Sequence, residues 1–208
     1  MTGVPPVTTP LYARVLGSAW HDLPAEIRAM HDVEATAVAQ GRATVERGPG
    51  WLARLAAAAI GFPAAGDDVP VCVRFDVADG AETWTRSFGG KSFHSRQFAG
   101  IGRREGLLCE RFGGLTFAAA LVLEDRRLSL VLRHWHAFGI PMPMVLCPRA
   151  TAHETVEDGR FRFHVEIAHR ATGLIVRYRG WLEPAGGQGH SLDRTNALNL
   201  DPPGAGAR

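Results

Sequence analysis

Residues 82–98, ETWTRSFGGKSFHSRQF, contain two short alternating runs joined by a pair of glycines. Two glycines between such runs favour a two-residue hairpin turn, because both turn positions need positive φ. In that register one strand face carries Trp84, Arg86, Phe88 and Phe93. A three-residue loop would separate Phe93 from the other aromatic residues, since a shift of one residue reverses a strand face. We therefore prefer the two-residue turn, which points Arg86 into an apolar layer.

The same alternation extends over residues 69–183 and predicts a long antiparallel meander of seven to nine strands. Asp158-Gly159 and Thr172-Gly173 are typical turn sequences within it. Strand twist accumulates along a meander, so we expect the sheet to curve into a barrel or half-barrel. Further predicted strands are Gly106 to Phe112, Leu115 to Leu123, Leu128 to Phe138, Ala150 to Val156, Phe161 to His169 and Leu174 to Leu182.

The N-terminal third contains helical patterns that we expect to close the concave side of the sheet. Short helices are predicted from Pro10 and from Pro24, and Val33 to Arg47 favours a strand interrupted near Gly41. Trp51 to Gly61 predicts a buried or surface-docked helix; its single charge, Arg54, argues against a membrane-interface helix with a polar face. The predicted fold class is α+β.

Composition limits the class of protein. A hydrophobic fraction of 46% with 21% charged residues is typical of a folded domain, and we expect one domain over residues 1–184. Residues 185–208, rich in Gly and Pro, predict a disordered tail. The net charge of +2 is spread along the chain, which disfavours nucleic-acid binding.

The sequence has neither a signal-peptide pattern nor an apolar run long enough for a membrane span. Cys72, Cys109 and Cys147 are odd in number and widely spaced, which argues against a disulfide framework. We expect a cytoplasmic protein.

Four polar residues fall on predicted apolar faces and are the candidate ligand contacts: Arg86, His134, His136 and Tyr178. Alternation places both histidines on the side of Leu128, Leu130 and Leu132. A buried polar group needs a partner or a ligand. One interpretation is that Arg86 pairs with an acid such as Glu110 and that the histidines bond to the backbone or to each other. The other is that these residues form the polar floor of an apolar pocket.

Other chemistry has less support. The spacing of His134 and His136 suits two metal ligands, but no acid has a matching spacing and His94 falls on the opposite face, so no metal site is predicted. No nucleophile motif is present, and no catalytic residue or cofactor is assigned. The segment from Gly139 to Pro143 is predicted to form a rigid loop at the sheet rim. Alternatively, it could act as a pocket lid or as a contact for a partner.

A set of motifs resembles a bacterial family known only as a domain of unknown function, over about Leu11 to Pro184. The motifs are Trp84-x-Arg86-x-Phe88-Gly89, Phe93-x-Ser95, Glu110-Arg111-Phe112-Gly113, Phe138-Gly139-Ile140-Pro141-x-Pro143, Asp158-Gly159-Arg160-Phe161-x-Phe163 and Gly173-x-x-Val176-x-Tyr178-x-Gly180-Trp181-Leu182. Relatives can be joined to a saccharopine-dehydrogenase-like or other NAD(P)-binding domain. The resemblance thus implies a link to redox or small-molecule metabolism, although no GxGxxG follows a strand in this chain.

These observations lead to one main hypothesis and two alternatives. The first is binding of an apolar or amphipathic small molecule in the concavity of the curved sheet. The second is an enzyme or accessory subunit acting with an NAD(P)-dependent oxidoreductase, with the histidines as acid and base. The third is a protein-interaction module that uses the rim segment.

Overall fold

The computed structural model describes residues 9–185, and this part of the chain folds into three α-helices and eleven β-strands. The helices are α1 (Leu11–Leu16), α2 (Ala25–His31) and α3 (Trp51–Ile60), and a 3-10 turn over Gly17–Asp22 follows α1. The first strands are β1 (Ala37–Arg47), β2 (Gly66–Ala78), β3 (Ala81–Phe88), β4 (Lys91–Ala99), β5 (Leu108–Phe112) and β6 (Leu115–Glu124). The remaining strands are β7 (Arg127–Ala137), β8 (Ile140–Pro141), β9 (Arg149–Glu157), β10 (Arg160–His169) and β11 (Gly173–Pro184).

Ten of the strands described form a closed antiparallel barrel. The neighbours around the wall are β6, β5, β4, β3, β2, β1, β11, β10, β9 and β7, and β6 pairs back onto β7 to close it. The short strand β8 extends β7 outside this circuit. The predicted α+β class with a curved antiparallel barrel packed against N-terminal helices is confirmed, and closure pairs both edges of nearly every strand in the wall.

Between residues 66 and 185 the structure has ten strands, β2 to β11, against the seven to nine predicted, and the two-residue β8 accounts for the excess. Strand β1 is continuous where an interruption near Gly41 was expected. Its pairing with β11 and β2 passes straight through Gly41. A Cβ at Gly41 would lie 1.9 Å from the Trp181 carbonyl oxygen, so glycine here permits close approach of two strands and does not break the strand.

The central hairpin has the predicted register. Phe88 faces Lys91 and Arg86 faces Phe93, and the turn residues Gly89 and Gly90 have φ of 53° and 89°. These angles are those of a primed turn. Trp84, Phe88 and Phe93 are all buried on the inner face of the wall.

The two ends of the barrel differ. The end at which α1 and α2 lie is called the helical end. There the Arg14 side chain donates a hydrogen bond to the Gly80 carbonyl in the β2–β3 turn. We call the rim the opposite end, which carries α3, the β3–β4, β5–β6 and β10–β11 turns and residues 138–148. Tyr12 and Ile27 bury their side chains in the barrel core, so α1 and α2 plug the helical end.

The wall has one short seam, between β7 and β9. Only Leu128, Ser129 and Leu130 of β7 are paired with β9. Beyond Leu130 no further pairs join the two strands toward the rim, and residues 138–148 leave the wall there. The barrel is therefore closed at the helical end and parted at this side of the rim.

Predictions about the chain's ends stay predictions. The tail predicted over 185–208 lies outside the described residues except for Ala185. The single domain over 1–184 is likewise an expectation. Between residues 9 and 185, no helix is both long enough and apolar enough to cross a membrane.

Candidate functional site

The barrel interior contains a cavity of about 210 Å³. Its lining is mainly aliphatic and aromatic and includes Phe75, Phe88, Leu108, Phe117, Leu130 and Phe163. An apolar cavity of about 150 Å³ admits benzene, so by proportion this one has room for about eight non-hydrogen atoms. The cavity is thus large enough for a small amphipathic molecule.

The cavity faces the rim. Lining residues toward the helical end, such as Leu108 and Phe161, are fully buried, whereas Leu115, Phe117 and Pro148 near the rim are only half-buried. Leu132 and Pro148 also line the cavity, from the two sides of the gap where β7 and β9 part. We call this gap the mouth.

A polar cluster centred on Glu110 lies in the cavity wall. Arg86 donates to Glu110 Oε1 at 2.9 Å and to the Ser95 hydroxyl at 2.7 Å. Ser95 and Gln97 donate to the same Oε1, at 2.6 and 3.2 Å. The strands explain this grouping, because Arg86, Ser95, Gln97 and Glu110 occupy inward positions of adjacent β3, β4 and β5.

The charges of this cluster are well shielded from solvent. The Arg86 and Glu110 side chains are 12% and 19% exposed. The Arg86 guanidinium also lies 4.7 Å from the centre of the Trp84 ring, within cation–π distance. A charge in such surroundings requires its partner, so this ion pair fixes the cluster in place.

Two acceptors of the cluster remain for a ligand. All three hydrogen bonds to Glu110 end on Oε1, which leaves Oε2 as an acceptor beside the cavity. Gln97 Oε1 is buried without a hydrogen-bond partner among the described residues. A ligand that donates a hydrogen bond would therefore fit this part of the wall better than one that only accepts.

A second polar group ties the helical plug to the wall. His31 of α2 is fully buried, and its Nε2 lies 2.7 Å from Glu154 Oε2 on β9. The Tyr12 ring of α1 stacks on His31 with 3.6 Å between ring centres. Tyr12 and Glu154 line the cavity, so the plug contributes to its floor.

A third buried acid, Glu82, lies on β3. Its Oε2 accepts the Trp84 indole N–H at 2.8 Å, and the side chain is closed off from solvent. Burial raises the pKa of Glu82, and the Trp84 hydrogen bond opposes that shift only partly. With Glu110 and Glu154, the interior holds three carboxyl groups, beside Arg86 and His31.

Both tyrosines have raised pKa values for the same reason. Burial raises the pKa of Tyr178 to about 12, with Arg86 lowering it and Glu110 adding to the rise. Burial also raises the pKa of Tyr12 well above its usual value, with the nearby acids Glu154 and Glu82 adding to it. Each phenol therefore stays protonated and can donate a hydrogen bond at neutral pH.

The structure brings together two of the four candidate residues. Arg86 and Tyr178 line the cavity, and Arg86 pairs with Glu110 as one of the two alternatives anticipated. His134 and His136 do not line it: His134 is exposed and His136 is half-buried.

A β-bulge explains why the histidines point elsewhere. Ala118 pairs with His134 but Ala119 pairs with Leu132, so Arg133 is an extra residue on β7. The bulge reverses the inside–outside order, and Trp135 pairs with the cavity-lining Phe117 where a histidine was expected. The placement of both histidines on the face of Leu128, Leu130 and Leu132 was therefore wrong.

Several interior polar residues were not anticipated as part of a site. Ser95 and Gln97 share the parity of Phe93, and Glu82 that of Trp84, so alternation alone could have identified them. His31 and Glu154 gave no such signal, because a helix and a strand distant in sequence bring them together. Among the described residues, no cluster of three or more His, Cys, Asp or Glu side chains is arranged to hold a metal ion.

Comparison with known proteins identifies a family without an assigned activity. No curated protein matches the sequence. The model of the family described as "Domain of unknown function (DUF4166)" matches residues 23–182, which include the whole barrel except the last two residues of β11. The match covers well over half of the chain, and the chain therefore belongs to the DUF4166 family of domains of unknown function.

Proposed function

We propose that this domain binds a small amphipathic molecule inside the barrel, with the ligand's polar group against Glu110, Gln97 and Tyr178. The observation that carries the proposal is the cavity of about 210 Å³, apolar over most of its wall and polar at one cluster. Sites for small molecules commonly combine an apolar wall with a few well-placed polar groups.

The charge of the interior supports a particular ligand class. Arg86 already bonds Ser95 and Glu110, and two carboxyl groups, Glu110 and Glu154, line the cavity. A ligand carboxylate would be desolvated next to like charge, which is unfavourable. A hydroxyl or an amine can donate to Glu110 Oε2 or Gln97 Oε1, so alcohols and amines fit better than fatty acids.

Calorimetric titration with heptan-1-ol, heptylamine and heptanoate tests the proposal, because each probe has about the predicted number of non-hydrogen atoms. We expect the alcohol and the amine to bind at least 10-fold more tightly than heptanoate. Tyr178→Phe should weaken binding of heptan-1-ol by about 2- to 10-fold, as expected for the loss of one hydrogen bond.

A matched pair of variants on β6 locates the binding. Ala119 lines the cavity, and Ala120 points outward from the next position. Ala119→Leu should fill part of the cavity and abolish binding, whereas Ala120→Leu should leave it unchanged. Equal affinity for both variants, or no binding of any of the three probes, would reject the proposal.

The alternative functions have less support. An enzyme that used His134 and His136 as acid and base would need them beside the cavity, and both lie outside it. A partnership with an NAD(P)-dependent oxidoreductase depends on the resemblance alone. Cytoplasmic location also stays a prediction, one with which the free Cys72, Cys109 and Cys147 agree.

A further inference from the structure

Exposed apolar side chains are concentrated at the rim. Helix α3 buries Ala53 and Ala57 against the barrel and turns Trp51, Leu52 and Leu55 outward, with Trp51 68% exposed. A surface helix normally directs polar residues to solvent. Only Arg54 interrupts this outward face, so α3 is apolar on both sides.

The segment 138–148 adds a second apolar group at the same end. Phe138 is 85% exposed, and its φ of 51° is uncommon for a bulky residue. The other exposed apolar residues of this segment are Ile140, Met144, Val145 and Leu146. Among the described residues, the only large exposed apolar side chains away from the rim are Ile101, in the β4–β5 connection at the helical end, and Val131, in the wall.

Charge is distributed unevenly between the two ends. The connections at the rim, residues 48–65, 89–90, 113–114, 138–148 and 170–172, contain Arg54 and Arg170 and no acid. Lys91 and Arg149 follow directly at the starts of β4 and β9.

The acids nearest the rim belong to the strand ends of β1 and β2. Asp67 and Asp68 are on β2, where Arg42 binds Asp68, and Glu46 is on β1, where Arg177 binds it. The turns of the helical end carry both signs: Asp79, Glu105, Asp125 and Asp158 lie there with Arg103, Arg104 and Arg126. The rim connections are therefore apolar with bases only, while the turns of the opposite end mix acids and bases.

From these observations we propose that the rim docks on the surface of an anionic lipid bilayer, with α3 and residues 138–148 inserted among the headgroups. Exposed aromatic and aliphatic side chains beside basic residues are the pattern by which proteins lie on such surfaces. Helix α3 needs no polar face for this role, because its other side is already packed on the barrel. The mouth opens at the same end, so docking would direct it at the bilayer.

Vesicle flotation of the full chain tests the docking. We expect binding to vesicles of phosphatidylcholine with phosphatidylglycerol, at least 10-fold weaker binding to phosphatidylcholine alone, and a decrease with added salt. Leu55→Glu and Val145→Glu should each reduce binding at least 10-fold. Ile101→Glu, which changes an even more exposed apolar residue at the helical end, should have no effect.

A charge-reversal pair gives an independent comparison. Arg54→Glu with Arg170→Glu should reduce binding to the anionic vesicles at least 10-fold, whereas Arg126→Glu at the helical end should leave it unchanged. All these positions are exposed, and thermal unfolding will verify that each variant is folded.

Three outcomes would overturn the proposal. The first is no flotation with either vesicle, and the second is equal flotation of the rim variants and Ile101→Glu. The third is a concentration-dependent dimer that Leu55→Glu disrupts while vesicles have no effect, which would assign the rim to a second copy of the chain. Heptan-1-ol binding is measured without vesicles, so the cavity proposal can fail or succeed separately.

Discussion

Replacing Arg86 by methionine should destabilise the barrel much more than the loss of a surface ion pair would. The substitution leaves Glu110 charged in the wall of an apolar cavity. Removing one partner of a buried pair commonly costs about 3–5 kcal/mol. Glu110 keeps the hydrogen bonds from Ser95 and Gln97 and remains 19% exposed, so we expect the lower end, about 3 kcal/mol.

The outer wall offers a matched control for this change. Arg160 pairs with Glu183 at 3.0 Å and lies 5.0 Å from the Trp181 ring centre, so it has the same kinds of partner as Arg86. Both of its ion-pair side chains are about half exposed. Arg160→Met should therefore cost at most about 1 kcal/mol.

Urea unfolding followed by tryptophan fluorescence measures both variants, and thermal unfolding gives a second measure. A loss of about 3 kcal/mol corresponds to a melting temperature lower by about 6–12 °C in a domain of this size. The double variant Arg86→Met with Glu110→Gln removes both charges but keeps an acceptor for Ser95 and Gln97. It should recover at least half of the lost stability. If Arg86→Met costs no more than Arg160→Met, or if the double variant is less stable than the single one, the buried ion pair is not what holds this cluster.

Three further predictions concern groups buried in the same interior. The pKa of Glu82 is raised in the folded state, so its contribution to stability is present below the ordinary glutamate pKa and is lost as pH rises through the raised pKa. In urea unfolding measured over a pH series, Glu82→Gln should remove this loss of stability. Replacing the exposed Glu124 by Gln should leave it unchanged. Tyr12 and Tyr178 are the only tyrosines, and both have raised pKa values. Absorbance at 295 nm should therefore show little tyrosinate in the folded protein at pH 10. Half-ionisation of the tyrosines at that pH would contradict their burial. Gly41→Ala would drive a Cβ into the Trp181 carbonyl and should cost more than about 3 kcal/mol in urea unfolding. A loss below about 1 kcal/mol, or the gain of about 0.4–1 kcal/mol that Gly-to-Ala gives at an unstrained site, would show that β1 and β11 can move apart.

The parts of the fold that follow local rules could be predicted from the sequence. The Gly89-Gly90 turn fixed the hairpin register, and with it the inward direction of Arg86 and the aromatic residues around it. Alternation also placed Tyr178 correctly on an inner face. These features depend on neighbours within one hairpin or one strand, which the period of two describes well.

The parts that failed depend on contacts between distant segments. The extra residue Arg133 on β7 leaves no mark in the hydrophobic pattern, because leucines precede it and a tryptophan follows between two histidines. Likewise, Gly41 was interpreted as an interruption of the strand, because the local sequence does not indicate that Trp181 of β11 approaches it closely. His31 and Glu154 meet only after the plug has docked.

The short pairing of β7 with β9 has a kinetic consequence. Only three residue pairs hold these strands together, so this seam should open locally far more often than the whole barrel unfolds. A guest could then pass through a transient parting of the wall, at a rate governed by this local event and independent of global stability. Amide hydrogens of Leu128 to Leu130 should accordingly exchange faster than those of the long β10–β11 ladder, and a cross-link across the seam should slow exchange of the guest without altering its equilibrium affinity.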